Sequence, residues 1–139
     1  MESILNQLGK VLVELQIVLN LLIPVQAQIL PPQVINVKQL IIEKSEEYKV
    51  NPQLALFIVQ KESNFDPLAI GDEHLTCNLS KSPNFGKPIR SRGLWQISDC
   101  SNWEVSDLEA FDIVSSTLWA MKRLKEKPSI WSVYRDWVN

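Results

Sequence analysis

The sequence has little net charge and few residues of the kinds that bind metals. Its 139 residues include 14 Lys and Arg, 16 Asp and Glu, one His and two Cys, for a formal net charge of -2. A dedicated nucleic-acid-binding protein carries a basic face, so this balance argues against that class. The longest apolar stretch falls short of the roughly 20 residues of a transmembrane helix, because Glu14, Gln16 and Asn20 interrupt it.

The two cysteines, Cys77 and Cys100, enclose the most loop-like stretch of the chain. A disulfide between them would restrain a long irregular loop and would indicate an oxidising compartment. Two unpaired cytosolic thiols are the plainer interpretation, but a long loop gains most from a crosslink, so we favour the disulfide. A zinc site with His74 would have only three soft ligands and no Cys-x-x-Cys pair, so neither a metal nor another cofactor is predicted.

A local basic cluster lies inside this loop, where Lys81, Lys87, Arg90 and Arg92 occur with no acidic residue between them. Such a basic cluster could bind an anionic polymer. A solvated loop is the plainer interpretation, and we prefer it.

The chain has enough apolar sequence for one domain with an extension, since 45% of its residues are hydrophobic. Residues 1–32 are the extension: their leucines step by three and four, which predicts an amphipathic helix with heptad character. A secretory signal, with Val25 and Ala27 at its cleavage site, is an equal alternative. As a helix, residues 4–22 could self-associate or contact a membrane surface. Residues 33–139 are predicted to form the compact domain.

Helical periodicity dominates the rest of the chain. Amphipathic helices are predicted in residues 33–50 and 129–139. A longer helix is predicted from a capping aspartate, Asp107 or Asp112, to the stop at Pro128. No hairpin is predicted, so the fold class is mainly α with a long central loop.

One further predicted helix ends on a carboxylate. Asn51 can cap it, and Pro52 suits its first position. The helix should end near Ser63, because turn-forming residues follow. Glu62 then lies in the last turn.

On this helix Glu62 shares a face with Ala55, Ile58 and Val59. Burial against that apolar face penalises the charged carboxylate, and the negative end of the helix dipole disfavours an anion. Both effects raise the pKa, which suits a general acid that protonates a glycosidic oxygen. The alternative is a structural glutamate that pairs with Lys61 or forms a hydrogen bond at the edge of the core.

Two motifs around this glutamate resemble those of the soluble-type lytic transglycosylases, whose fold is similar to that of goose-type lysozyme. The first family motif is Glu-Ser at a helix end, and the second is Gly-Leu-Met-Gln, here with Trp in place of Met. The matching positions are Glu62 and Ser63, then Gly93, Leu94, Trp95 and Gln96. The resemblance extends over roughly residues 34–138.

A third family motif, Ala-Tyr-Asn-Ala-Gly, is matched less well. Tyr134 is the nearest counterpart of its tyrosine, which hydrogen-bonds near the catalytic glutamate in the family. Arg135 replaces the asparagine, and no glycine follows. The sequence therefore looks like a short or divergent member.

The resemblance implies a lysozyme-like helical domain that cleaves the β-1,4 bond between MurNAc and GlcNAc in peptidoglycan. Cleavage would be non-hydrolytic and leave a 1,6-anhydro end, with Glu62 acting first as acid and then as base. The partner would be peptidoglycan glycan strands, and the location the cell envelope, periplasmic or secreted. The implied substrate-binding residues are Ser63, Gly93, Leu94, Trp95, Gln96 and Tyr134.

Particular roles follow for four of these residues. Ser63 would hydrogen-bond near the scissile bond or simply end the helix. Gly93 would let the backbone approach a sugar ring, and Gln96 would contact the acetamido group. Trp95 is the only one of the five tryptophans expected to touch substrate.

Two alternatives differ in chemistry. One is a non-catalytic peptidoglycan-binding or assembly module of an envelope machine. The other is a hydrolytic muramidase resembling goose-type lysozyme, in which Asp66, Asp72 or Asp99 positions water. For these three aspartates we prefer a structural interpretation, in which they stabilise turns or cap helices.

Overall fold

The structure, a computed structural model, describes residues 34–139, of which residues 35–139 form one compact unit. The described elements are α1 (Val37–Tyr48), α2 (Pro52–Glu62), β1 (Ile70–Gly71), β2 (Ser91–Arg92), β3 (Ile97–Ser98), α3 (Asp107–Phe111), α4 (Ile113–Glu126), a 3-10 helix (Pro128–Ile130) and α5 (Tyr134–Val138). The prediction of a mainly α domain with a long central loop is confirmed. The predicted N-terminal helix, its signal alternative and the contacts assigned to residues 4–22 lie outside the described residues.

Helix α2 begins and ends where its sequence signals place it. The Asn51 side chain accepts hydrogen bonds from the backbone N–H groups of Gln53 and Leu54, at 2.9 and 3.2 Å. Pro52 occupies the first helical position, and the helix ends at Glu62. The cap and the proline therefore set the start of the helix that carries the carboxylate.

The predicted long helix is two separate helices in the structure, and each of the two candidate aspartates lies at the start of one of them. Ser106 forms a capping box with Glu109 at the start of α3, of which Asp107 is the first residue. Asp112 then ends α3 and caps α4, accepting from the backbone N–H of Ser115 at 2.7 Å. Helix α4 ends at Glu126, and Pro128 opens the 3-10 helix.

The prediction of one helix over residues 129–139 is wrong in extent, because α5 covers only Tyr134–Val138. Trp131 turns into the core, where it is 6% exposed, and its indole N–H donates to the Trp95 carbonyl at 3.1 Å. Anchoring this side chain interrupts the helical path between the 3-10 helix and α5.

A small antiparallel sheet, ordered β1-β2-β3, was not expected from the sequence. Ile70 pairs with Arg92, and Ser91 pairs with Ser98. Each strand has two residues, too few for an alternating apolar pattern. The hairpin formed by β2 and β3 encloses the Gly-Leu-Trp-Gln turn.

The core forms where α1, α2 and α4 pack together around the hairpin. Each of these four elements contributes a side chain that is 0% exposed. These side chains are Ile41 of α1, Ile58 of α2, Met121 of α4 and Trp95 of the hairpin. Within residues 34–139 no helix combines the length and apolarity needed to cross a bilayer.

The solvated-loop interpretation fails for two of the four basic residues, Arg90 and Arg92. The Arg92 guanidinium is buried and donates to the carbonyls of Ile97 and Val105, at 3.2 and 2.9 Å, and to Asp107 at 2.8 Å. Arg90 makes a second contact with Asp107. These arginines are structural, because they join the hairpin to the start of α3.

The predicted disulfide between Cys77 and Cys100 is confirmed, with a Cα–Cα distance of 5.5 Å and a sequence separation of 23. It ties the start of the long loop to the residues that follow β3. Because both sulfurs are committed to this bond, the zinc alternative with His74 is contradicted.

Removing this crosslink should lower the free energy of unfolding. For a loop of this length, chain entropy predicts a loss of about 3 kcal/mol in the double variant Cys77→Ala/Cys100→Ala. Urea unfolding without reductant measures the loss, and wild type treated with dithiothreitol is the matched control. An unchanged midpoint in both samples would show that the loop is held by other contacts.

Candidate active site

An open groove of about 610 Å³ lies at the C-terminal end of α2. The hairpin forms one side, and the second half of α4 with the following 3-10 helix forms the other. Its lining residues include Glu62, Asp72, Ser91, Gln96, Ile97, Asn102, Glu104, Trp119, Arg123, Glu126, Lys127 and Trp131.

Glu62 borders this groove from the last position of α2, and its side chain is half-buried. Ala55, Ile58 and Val59, on the same helix face, are each 0% exposed. Burial, and secondly the negative charge of Asp72, raise the pKa of Glu62 from its ordinary value of 4.5 to about 7. Near neutral pH this carboxyl can therefore both hold and release a proton.

The alternative in which Glu62 pairs with Lys61 is not what the structure shows. The Lys61 ammonium lies over the Phe57 ring, 5.7 Å from its centroid. Among residues 34–139, Glu62 forms no ion pair with any Lys or Arg. No neighbouring cation therefore offsets the effect of burial on its pKa.

Asp72 is another carboxyl that lines the groove, although turn and capping duty was the interpretation preferred for it from the sequence. Its backbone is left-handed (φ +65°), and its side chain accepts a hydrogen bond from the Ser91 hydroxyl. It lines the same groove as Glu62, and its negative charge contributes to the raised pKa of Glu62. The pairing of β1 with β2 brings Asp72 to this position, and no local signal encodes that pairing.

Of the other two aspartates, Asp66 performs the turn duty preferred for it, whereas Asp99 forms an ion pair with Arg90. Asp66 accepts from the backbone N–H of Leu68 at 2.9 Å. Asp99 accepts from the backbone and side chain of Arg90, at 2.9 and 3.1 Å. Neither lines the groove.

Ser63 joins the end of α2 to the hairpin. Its hydroxyl donates to the Leu94 carbonyl at 2.8 Å and lies 3.3 Å from the Val59 carbonyl. This hydrogen bond holds the Gly-Leu-Trp-Gln turn against the residue that follows Glu62. Its evident role in the structure is therefore positional.

Gly93 and Trp95 do not have the surroundings expected of them. A Cβ on Gly93 (φ +68°) would lie 2.3 Å from the Ala110 carbonyl oxygen, so the glycine permits contact with α3 rather than with a sugar. Trp95 is 0% exposed, and its indole N–H donates to Thr117 at 3.2 Å. Trp95 therefore borders the groove from the core and offers no exposed face on which a sugar could stack. Leu94, at 1% exposed, is core as well.

Gln96 lines the groove while also holding the sheet together. Its amide N–H₂ donates to the carbonyls of Gly93 and Ala69, at 3.0 and 3.3 Å. A Cβ on Gly71 would lie 2.5 Å from the Gln96 side-chain oxygen, so the amide also packs against β1. Gln96 is thus fixed in place where it meets the groove.

Tyr134 lies away from the groove. Its ring is partly buried against the core, and it is not among the residues that line the cavity. Within residues 34–139 its hydroxyl donates no hydrogen bond to Glu62. The contact of Tyr134 with substrate therefore stays a prediction, and in the structure its side chain packs against the core.

Two tryptophans that the sequence did not single out also line the groove, Trp119 and Trp131. Their rings pack edge to face, with centroids 6.1 Å apart. Trp119 is partly exposed, whereas Trp131 is buried. Helical spacing alone could not separate them from core residues.

The domain is mainly α, and Glu62, whose pKa is raised, lies at the end of a helix and borders an open groove. The chain belongs to the transglycosylase SLT domain family, whose model matches residues 39–129. The family confirms the lysozyme-like fold, and peptidoglycan transglycosylation is its family-level activity. No curated protein and no solved structure matches the chain.

Replacing Glu62 with glutamine should change how stability depends on pH. Because the pKa of Glu62 is about 7 when folded and near its ordinary 4.5 when unfolded, the folded state binds more protons between these values. The unfolding free energy contributed by this group therefore falls as the pH rises through that window. Glu62→Gln should remove the fall, so the variant gains stability relative to wild type at about pH 8 but not at about pH 4.

Urea unfolding at these two pH values measures the difference. Glu73→Gln, at an exposed glutamate, controls for loss of a carboxylate without burial. A difference between wild type and Glu62→Gln that is the same at both pH values would contradict the raised pKa.

Proposed function

We propose that this chain cleaves the β-1,4 bond between MurNAc and GlcNAc in peptidoglycan without water, leaving a 1,6-anhydro end. The observation that carries the proposal is the position of Glu62, half-buried at the head of the groove with a pKa of about 7. Membership of the transglycosylase SLT domain family supports this substrate and reaction class.

The chemistry needs one residue to act twice. Protonated Glu62 donates its proton to the glycosidic oxygen, so the bond to the muramic C1 breaks and the GlcNAc alcohol leaves. The substrate's own N-acetyl group stabilises the oxocarbenium-like state. The Glu62 carboxylate then takes the proton of the muramic 6-hydroxyl as that oxygen bonds to C1. A pKa near 7 suits both steps, because neither protonation state is strongly disfavoured.

The neighbouring motif residues act mainly through position. Ser63 fixes the hairpin against α2, and Gln96 presents an immobilised amide edge to the groove. We assign Gln96 the contact with an acetamido sugar. Gly93, Leu94 and Trp95 support the wall from behind.

The partner in this proposal is the peptidoglycan glycan strand, and the location is the cell envelope, periplasmic or secreted. The Cys77–Cys100 disulfide supports an oxidising compartment.

A hydrolytic, lysozyme-like reaction is the second candidate, and Asp72 is the observation that favours it. Hydrolases of glycosidic bonds generally use two carboxyls, the second of which can position water. Asp72 lines the same groove as Glu62 and is anchored by the Ser91 hydroxyl.

Glu62→Gln tests the acid directly. The amide keeps the size of the side chain but has no proton to transfer, so cleavage of purified peptidoglycan should fall on the order of 100-fold or more. Glu126→Gln makes the same change elsewhere in the groove and should cleave at nearly the wild-type rate. Mass spectrometry of wild-type products should show 1,6-anhydro ends. An active Glu62→Gln variant would refute the mechanism, and an inactive wild type would favour a binding module.

The variant Asp72→Asn distinguishes the transglycosylase reaction from the hydrolytic reaction. In the transglycosylase mechanism the variant stays active, and loss of the negative charge lowers the pKa of Glu62. The decline in rate at alkaline pH, where Glu62 loses its proton, should therefore begin at a lower pH than in wild type. Rate profiles across pH, with product masses, measure this. Hydrolysis would be indicated instead if the Asp72→Asn variant loses activity and the wild-type products carry added water rather than 1,6-anhydro ends.

A further inference from the structure

The Asp72 carboxylate at the groove is held by a buried, neutral group. Ser91 is 3% exposed, and its hydroxyl donates a hydrogen bond to Asp72. The pairing of β1 with β2 sets Ser91 opposite Gly71, which directly precedes Asp72 in the chain. Among residues 34–139, this hydroxyl is the one side-chain donor to that carboxylate. Ser91 therefore determines where the carboxylate lies.

Two cations flank Ser91 in the chain, and neither neutralises Asp72. Successive side chains of an extended segment point to opposite faces, so Arg90 and Arg92 lie on the face opposite to Ser91. Their guanidinium groups pair with aspartates other than Asp72. Within the described part of the chain, no Lys or Arg forms an ion pair with Asp72. Asp72 is thus held by a dipole, and its negative charge stays uncompensated.

Other charged groups around the groove do not replace Asp72 in its effect on Glu62. The titratable or charged groups that line the groove or adjoin Asp72 are Glu104, Arg123, Glu126, Lys127, Glu73 and His74. Glu104 and Arg123 pair with each other at 3.6 Å. Burial is the main cause of the raised pKa of Glu62, and among these charged groups and Asp72 it is Asp72 that adds to it.

We propose that Ser91 is a positioning residue of the reaction, whose hydroxyl holds the uncompensated Asp72 carboxylate at the groove in which Glu62 must keep its proton. Ser91 acts through Asp72 and not on the reacting atoms. Without the hydroxyl, the carboxylate loses its donor and turns further into water, so its charge acts less strongly on Glu62. The value of that proton for cleavage rests on the proposed function, whereas the effect of Ser91 on Glu62 does not.

The test is a titration of the Glu62 carboxyl in the full-length chain by carbon-13 NMR, with the signal assigned from its absence in Glu62→Gln. Ser91→Thr and Ser91→Val add the same bulk and the same β-branched shape, and they differ in the hydroxyl. We expect Ser91→Val to lower the titration midpoint by on the order of half a pH unit and Ser91→Thr to stay near wild type. Ser91→Ala, which adds no bulk, should shift the midpoint as Ser91→Val does.

A double variant shows whether Ser91 acts through Asp72. Asparagine tolerates the left-handed backbone at residue 72 (φ +65°) and carries no charge. Asp72→Asn should lower the midpoint at least as far as Ser91→Ala, and Ser91→Ala/Asp72→Asn should match Asp72→Asn alone. Ser101→Ala is the matched control, since it removes a hydroxyl from an exposed position of the groove wall, and it should leave the midpoint unchanged.

Two results would overturn the proposal. One is a wild-type midpoint in both Ser91→Ala and Ser91→Val, and the other is a further shift when Ser91→Ala is added to Asp72→Asn. Cleavage of purified peptidoglycan over the same pH range gives a second readout, because its alkaline decline should move with the midpoint. Wild type that fails to cleave, while the midpoints shift as expected, would refute the proposed function alone.

Discussion

The arrangement of the groove depends on one buried charge. The Arg92 side chain is 3% exposed, and a guanidinium keeps its charge in proteins, so its donors must meet acceptors. The carbonyls of Ile97 and Val105 and the carboxylate of Asp107 supply them. Because these groups belong to β3, to the loop after it and to α3, the arginine fixes the hairpin relative to the helices. Removing any one of these acceptors would leave a buried charge only partly compensated.

The raised pKa of Glu62 follows from packing rather than from a dedicated partner. Helix α2 presents Ala55, Ile58 and Val59 to the core, and Glu62 is carried to the edge of that apolar layer. The dominant cause of its raised pKa is therefore burial, and the charge of Asp72 adds to it. A pKa set mainly by burial is robust to small changes in the loops, because the apolar face belongs to a capped helix.

The Gly-Leu-Trp-Gln turn shows how a motif can support a site without facing it. Gly93 allows the backbone to approach α3, and Trp95 fills the centre of the core. Gln96 and the buried Trp95 border the groove, and the Gln96 amide is held by two backbone carbonyls. The partly exposed aromatic side chain of the groove is Trp119, which lies on α4.

The sequence by itself determined the helical class, the start and end of α2, the apolar face behind Glu62 and the pairing of Cys77 with Cys100. These features depend on caps, prolines, helical periodicity and composition, which are local signals. Tertiary structure alone decided that Asp72 shares a groove with Glu62, that Arg92 is buried and that Trp119 rather than Trp95 is exposed. Each of these depends on two-residue strands and on contacts between distant segments. A periodic pattern identifies one face of an element, but only packing decides which side chains on that face remain open to a ligand.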